Sequence, residues 1–157
     1  MSIIEFVRSG VDEDERIALA ASEGPWKVDN SNYPEAIYDG DGQSVVSGGR
    51  WGGEASIFSD DADAFHMVRH DPARVLREVA AKRAVLEYHR EVTEDHEESW
   101  MWSWYNAQNG ESQACVGCGW SGDPDHPRTD RIEDCPELRA MASVYIGHAD
   151  YQKEWVE

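Results

Sequence analysis

The chain is poor in basic side chains: 14 lysines and arginines stand against 32 aspartates and glutamates, a formal charge of −18 over 157 residues. That balance argues against direct binding to a nucleic-acid backbone, which depends on clustered cations. It leaves a solvated acidic surface, a basic partner or, at the extreme, mimicry of DNA. Long apolar runs are also missing. No stretch approaches the roughly 18 residues of a membrane helix, and no membrane partner is expected. Glu5 and Arg8 interrupt the apolar run of Ile3, Ile4, Phe6 and Val7, which departs from the basic-then-apolar order of a secretory leader. A cytoplasmic location is the expectation. Cysteine is scarce and odd in number, three in all, which suits reduced thiols or a metal better than a disulfide framework.

Several chemical signatures fail too. Gly48-Gly49-Arg50-Trp51-Gly52-Gly53 is glycine-rich, but no Gly-Lys-Ser/Thr follows it and no helix opens there, so it is a connector and not a phosphate loop. Asp39, Asp41 and Gln43 are followed by neither the glycine nor the later bidentate glutamate of a calcium loop. Ala114 precedes Cys115 where a zinc deaminase would carry proline, so the Pro-Cys-x-x-Cys half of that signature is broken.

What is present reads as one α+β domain over residues 1–157: a body at 1–90, an insertion at 91–113, and a knuckle with a C-terminal helix at 114–157. Residues 2 to about 22 form an amphipathic helix with Ile4, Val7, Val11, Ala18 and Ala21 on one face and Ile3 and Ile17 widening it. Gly10 weakens the case for one continuous helix. Gly24-Pro25 stops that helix, and Trp26 begins an extended segment as a core anchor. Ala36-Ile37-Tyr38 and Gln43-Ser44-Val45-Val46 flank Asp39-Gly40-Asp41-Gly42, a hairpin signal. Ala55 to Phe58 reads as a further short strand of a small antiparallel sheet.

From Ser59 to Arg90 the chain spells a short helix, a break at His70-Asp71-Pro72, and a long helix. Pro72 suits the first helical position and Asp71 the N-cap before it. On the long helix Val75, Val79, Leu86 and His89 share one stripe, so His89 belongs to the buried face. Beyond it, Trp100, Trp102 and Trp104 alternate with other residues, which puts three indoles on one side of a strand, either packed on the body or exposed as a platform for a partner. The final helix, Pro136 to Tyr145, turns Leu138, Met141, Ala142 and Tyr145 inward. Tyr151 and Trp155, four apart, clamp the terminus to the core.

One motif carries chemistry. Cys115-Val116-Gly117-Cys118-Gly119 offers two thiolates at i and i+3, and Cys135-Pro136 supplies a third at a helix start. A closed structural zinc site needs a fourth ligand. His89, His96, His126 and His148 are the candidates; His89 is preferred for its place at the end of the long helix, with His148 the runner-up. The expected cofactor is a structural Zn²⁺ that pins the long helix to the C-terminal one.

Met67-Val68-Arg69-His70-Asp71-Pro72-Ala73-Arg74-Val75-Leu76, Ala81-Lys82-Arg83, His89, Gly24-Pro25-Trp26, Cys115/Cys118, Cys135-Pro136-Glu137-Leu138-Arg139 and Tyr145…His148-Ala149-Asp150-Tyr151…Trp155 together resemble an uncharacterised family of small proteins from actinobacteria and their phages. The resemblance covers nearly the whole chain. It departs at Ser22-Glu23 and across Glu91–Gln113, where the tryptophan row lies. It implies a phage or prophage setting and is compatible with zinc-binding cysteines, and it supplies no activity.

Three functional readings follow. The first is a non-enzymatic accessory protein that binds a host protein, in the host cytoplasm if phage-encoded, with Trp100, Trp102 and Trp104 as the contact row. The second is a small-molecule, nucleotide-like binder using His66, Arg69, His70 and Arg74 with Trp51 or Trp26 stacking; the plain alternative for Arg69 and His70 is a helix terminus complementing its dipole. The third is a metal-dependent hydrolase on His66 and His70 with Asp63 or Asp71, although no glutamate lies between the histidines as in metalloproteases.

Overall fold

The structure, a computed structural model, describes residues 1–30, 36–47, 61–92, 113–121 and 126–155. Among these are four α-helices and a three-stranded antiparallel sheet: α1 (Ile3–Ala20), β1 (Lys27–Val28), β2 (Ala36–Tyr38), β3 (Ser44–Ser47), α2 (Asp61–Arg69), α3 (Pro72–Tyr88) and α4 (Pro136–Ser143). The α+β class and the element order match the sequence reading. The segment 55–58 and Trp51, Trp100, Trp102 and Trp104 lie outside the described residues. No helix among those described is long and apolar enough to cross a membrane. The chain divides into two compact units, Asp12–Ala80 and Met1–Val11 with Ala81–Glu157.

Within Asp12–Ala80 the sheet runs in the order β1-β2-β3, with Ile37 facing Val28 on one side and Val46 on the other. Asp39 makes the hairpin: its Oδ1 accepts from the amides of Asp41 (3.1 Å) and Gln43 (2.8 Å). Its carboxylate therefore closes a turn, as short polar side chains do. Gly42, at φ +80°, takes the left-handed position. The apolar sheet face buries Ile37 against Ala64 of α2, with Trp26, Val28, Val45, Val46 and Val68 packed around them. Trp26 is thus a core anchor, as expected.

The break before α3 is built more tightly than its N-cap alone requires. Asp71 is buried, and its two carboxylate oxygens serve different strands of chain: Oδ1 accepts from the amide of Arg74 (2.7 Å) in the first turn of α3, and Oδ2 from the amide of Trp26 (3.0 Å). A Cβ on Gly24 would sit 2.8 Å from both Asp71 Oδ2 and the Ala73 side chain, so glycine is what lets the two segments meet. The Gly24-Pro25 peptide is cis. Gly-Pro-Trp and Asp-Pro-Ala are two halves of one joint.

In the other unit, α1 opens with a reciprocal cap between Ser2 and Glu5, the Glu5 amide donating to Ser2 Oγ (3.3 Å) and the Ser2 amide to Glu5 Oε2 (2.9 Å). The Ile3 amide donates to Glu133 (3.0 Å), which also accepts from the Trp155 indole (2.9 Å). Phe6 is buried at the centre of an aromatic group, its ring 4.7 Å from Trp155, 5.5 Å from His148, 5.9 Å from Tyr151 and 6.3 Å from Tyr145. Tyr151 and Trp155 meet edge to face at 5.8 Å, the clamp expected from their spacing.

The expected apolar face of α1 needs two corrections. Phe6 outranks most of the face in burial, whereas Ile17 is 55% exposed and Ala21 is exposed beyond the helix end. Gly10 does not break α1. A Cβ there would lie 2.8 Å from the Tyr145 ring, so the glycine makes room for an aromatic face while the helix continues.

We predict that Asp71→Ala will lower unfolding stability by roughly 2–4 kcal/mol, the sum of a lost N-cap and an amide left unpaired beside Trp26. A urea titration measures it. A loss below about 0.5 kcal/mol, the scale of an ordinary surface substitution, would contradict the joint.

Candidate metal centre

The cysteines arrive from three directions. Cys115 precedes a 3-10 turn over Val116–Cys118, which Gly119 closes at φ +67° with its amide donating to the Val116 carbonyl (3.0 Å). The turn is tied at both flanks: the Val116 amide donates to the Arg90 carbonyl (3.0 Å) and the Cys115 amide to the Thr129 carbonyl (3.3 Å). Cys135 follows the 3-10 turn Ile132–Asp134 and caps α4, with Pro136 in the first turn, as the sequence suggested. His89 comes one residue after α3, its amide still donating to the Val85 carbonyl (2.9 Å).

Gly117 governs how close these segments come. A Cβ there would sit 2.6 Å from the Tyr88 carbonyl oxygen and 2.8 Å from His89 Nδ1. Only a residue without a side chain lets the knuckle lie against the end of α3.

The donor atoms of His89, Cys115, Cys118 and Cys135 all lie within 4.8 Å of one another. His89 Nδ1 is 3.5 Å from Cys115 Sγ, 3.9 Å from Cys118 Sγ and 3.4 Å from Cys135 Sγ. Cys135 Sγ is 3.6 Å from each of the other sulfurs. A tetrahedron with metal–sulfur bonds of about 2.3 Å has edges of about 3.8 Å, so these spacings fit four ligands around one ion. Three thiols and an imidazole also suit zinc chemically. Cys115 and Cys135 are fully buried, Cys118 is half-buried, and the His89 side chain is 13% exposed. The imidazole that joins the cysteines is therefore His89. His148, the other histidine considered, packs its ring on Phe6 and accepts the Asp150 amide through Nδ1 (3.1 Å). His126 is exposed, and His96 lies outside the described residues.

Without an ion, three thiols this close cannot all ionise. Hydrogen bonds from Cys135 above all, then from Cys118 and His89, lower the Cys115 thiol to about 5 against the opposition of burial. The Cys135 thiol is driven up, first because it donates to the Cys115 sulfur and then by burial. Burial raises Cys118. A residue outside the four joins them: Glu137, in the first turn of α4, lies with Oε2 3.5 Å from Cys135 Sγ, 3.6 Å from Cys118 Sγ and 3.8 Å from His89 Nδ1. The sequence reading missed it. Its only signal is a position two residues after a cysteine at a helix start.

The other candidate residues do not assemble into a second centre among the described residues. His66, on α2, and His70, just past its end, do bring their rings together, tilted with centroids 4.5 Å apart. Arg74 pairs with Glu78 (2.6 Å), and both carboxylate oxygens of Asp71 accept backbone amides. Of His66, Arg69, His70 and Arg74, only His70 lines the nearby apolar cleft of about 260 Å³, with Asp14, Ile17, Ala18, Trp26, Pro72 and Val75 among its other walls.

The chain belongs to a family described only as a "Family of unknown function (DUF6221)", whose model matches residues 1–157. No curated protein and no solved structure matches the chain.

Because ligating cysteines must be thiolates, we predict that uptake of one zinc ion near pH 7 releases about two protons, one each from Cys118 and Cys135. It follows that affinity falls steeply as the pH is lowered. Calorimetry in buffers of different ionisation enthalpy counts the protons, and release of none would exclude the thiols as ligands.

Proposed function

We propose that this family member is a zinc-stabilised accessory protein of phage type, non-enzymatic, acting in the bacterial cytoplasm by binding a host protein. The observation that carries the metal part is the four-donor cluster: three cysteines and His89 at tetrahedral spacing. Four protein ligands close a zinc site, whereas catalytic zinc keeps a position for water. The reading therefore assigns the ion a folding role. Its contribution falls at the knuckle, where the described segments meet through 3-10 turns and isolated bridges.

Support for the partner-binding part is chemical. The charge of −18 favours a basic partner surface over nucleic acid. The alternating Trp100, Trp102 and Trp104 offer an aromatic contact row of the type enriched in interfaces. The phage and actinobacterial setting rests on the motif resemblance. One observation favours the second reading, a small-molecule binder: the apolar cleft beside Trp26 and His70. Its apolar walls suit a ring system better than a polyphosphate, and that reading requires a compound that raises the melting temperature by occupying it.

Two outcomes are expected. Protein purified without chelator should carry one zinc per chain and lose melting temperature sharply in EDTA; a metal-free chain with an unchanged melt would sink the structural-zinc reading. Replacing Trp100, Trp102 and Trp104 together by alanine should leave the melt in place and abolish crosslinking to a host protein. Unchanged crosslinking would remove the row from the interface.

A further inference from the structure

Glu137 stands in a geometrical relation to the cluster that its place in the sequence does not announce. His89 Nδ1, Cys118 Sγ and Cys135 Sγ form a triangle with sides of 3.9, 3.6 and 3.4 Å. Cys115 Sγ caps that triangle, 3.5 Å from His89 and 3.6 Å from Cys135. Glu137 Oε2 caps it too, at 3.8, 3.6 and 3.5 Å from the same three atoms. Two atoms at such similar distances from three common points would nearly coincide if they lay on the same side. They therefore lie on opposite sides.

The two caps differ in environment. Cys115 is fully buried, while the Glu137 side chain is 49% exposed and its neighbour Cys118 is the least buried of the three sulfurs. An ion inside the tetrahedron thus has a buried thiolate behind it and a carboxylate on the solvent side. Carboxylate oxygen is a competent zinc ligand, and zinc accepts a fifth ligand transiently.

We propose that Glu137 is the exchange ligand of this centre, the group through which the ion enters and leaves; the proposal rests on the metal reading above. In release, a Glu137 oxygen donates a lone pair to the ion, and the bond to the Cys118 sulfur then breaks. The Cys118 thiolate takes a proton from water, and the ion, now held partly by an exposed carboxylate, passes to an acceptor. Entry reverses these steps. His89, Cys115 and Cys135 keep their bonds until the ion has moved outward.

The test uses zinc and the full-length chain. Stopped-flow transfer of zinc to a chromophoric chelator gives the release rate, and mixing metal-free protein with zinc gives the uptake rate. Glu137→Gln should slow both by roughly tenfold or more, the scale on which groups around a metal site act, and leave the equilibrium affinity nearly unchanged. Glu137→Asp retains the negative charge near the start of α4 but not the reach, and should behave like the glutamine variant. Release as fast as or faster than wild type in Glu137→Gln would mean that the carboxylate merely adds charge, and would overturn the proposal. Recovery of the wild-type rates in Glu137→Asp would do the same. A glutamine variant unable to hold zinc at equilibrium would make Glu137 a permanent ligand and equally overturn the exchange role. Failure of the wild-type chain to bind any zinc is a separate result, which sinks the metal reading itself.

Discussion

The constraint on which the C-terminal half depends is the meeting of four donor atoms from three stretches of chain. Among the described residues, the segments that carry the three cysteines hold only single-turn 3-10 helices before α4. The knuckle is fixed by isolated bridges, Glu91 with Cys115, Gln113 with Arg131 and Trp120 with Pro127, and by single-turn 3-10 segments. Such contacts close loops at an entropic cost. Three thiols at 3.4–3.9 Å from an imidazole nitrogen are unfavourable neighbours once more than one ionises. A divalent ion reverses the sign of that interaction, and structural zinc can contribute on the order of 10–16 kcal/mol to a small fold. The donors explain the local fold, and Gly117 and Gly119 exist to let them converge.

The other unit solves the same problem without metal. There the chain must join a sheet, a short helix and the start of α3, and one buried carboxylate does so by accepting the amide of Arg74 beside it and that of Trp26, 45 residues before it. Amide donors to a charged carboxylate are among the stronger hydrogen bonds.

Much of this was legible in the sequence, and the reason is local. The hairpin at Asp39–Gly42, the cap at Asp71-Pro72 and the Pro136 helix start each depend on a few adjacent residues whose conformational preferences are strong. The cysteine spacing, i and i+3 followed by a thiol at a helix start, is similarly self-declaring, and the helical stripe that turned His89 inward favoured it over His148, His126 and His96; the structure places it beside the three thiols. What was not legible depends on partners distant in sequence. Phe6 looked like an ordinary apolar residue, because nothing local says that four rings from positions 145–155 surround it. Gly10 looked like a helix breaker because the ring of Tyr145 that occupies its missing side chain is far along the chain. Glu137 and the second acceptor role of Asp71 were hidden for the same reason.

The segments that carry the family resemblance turn out to be the segments that hold the fold. Gly-Pro-Trp meets Asp-Pro-Ala at the Asp71 joint. The cysteines and His89 form one cluster. Tyr145, His148, Tyr151 and Trp155 close around Phe6. Lys82, in the Ala81-Lys82-Arg83 motif, donates to the Tyr145 hydroxyl at 2.8 Å. Side chains occupied in this way are poorly placed to meet a substrate as well. A signature made of joints, ligands and ring contacts identifies a scaffold, and function is carried by sites set upon a scaffold. The search for activity therefore moves to what the scaffold leaves over: the acidic surface, the cleft beside Trp26, and Glu137, whose half-exposed carboxylate lies against the cysteine–histidine cluster.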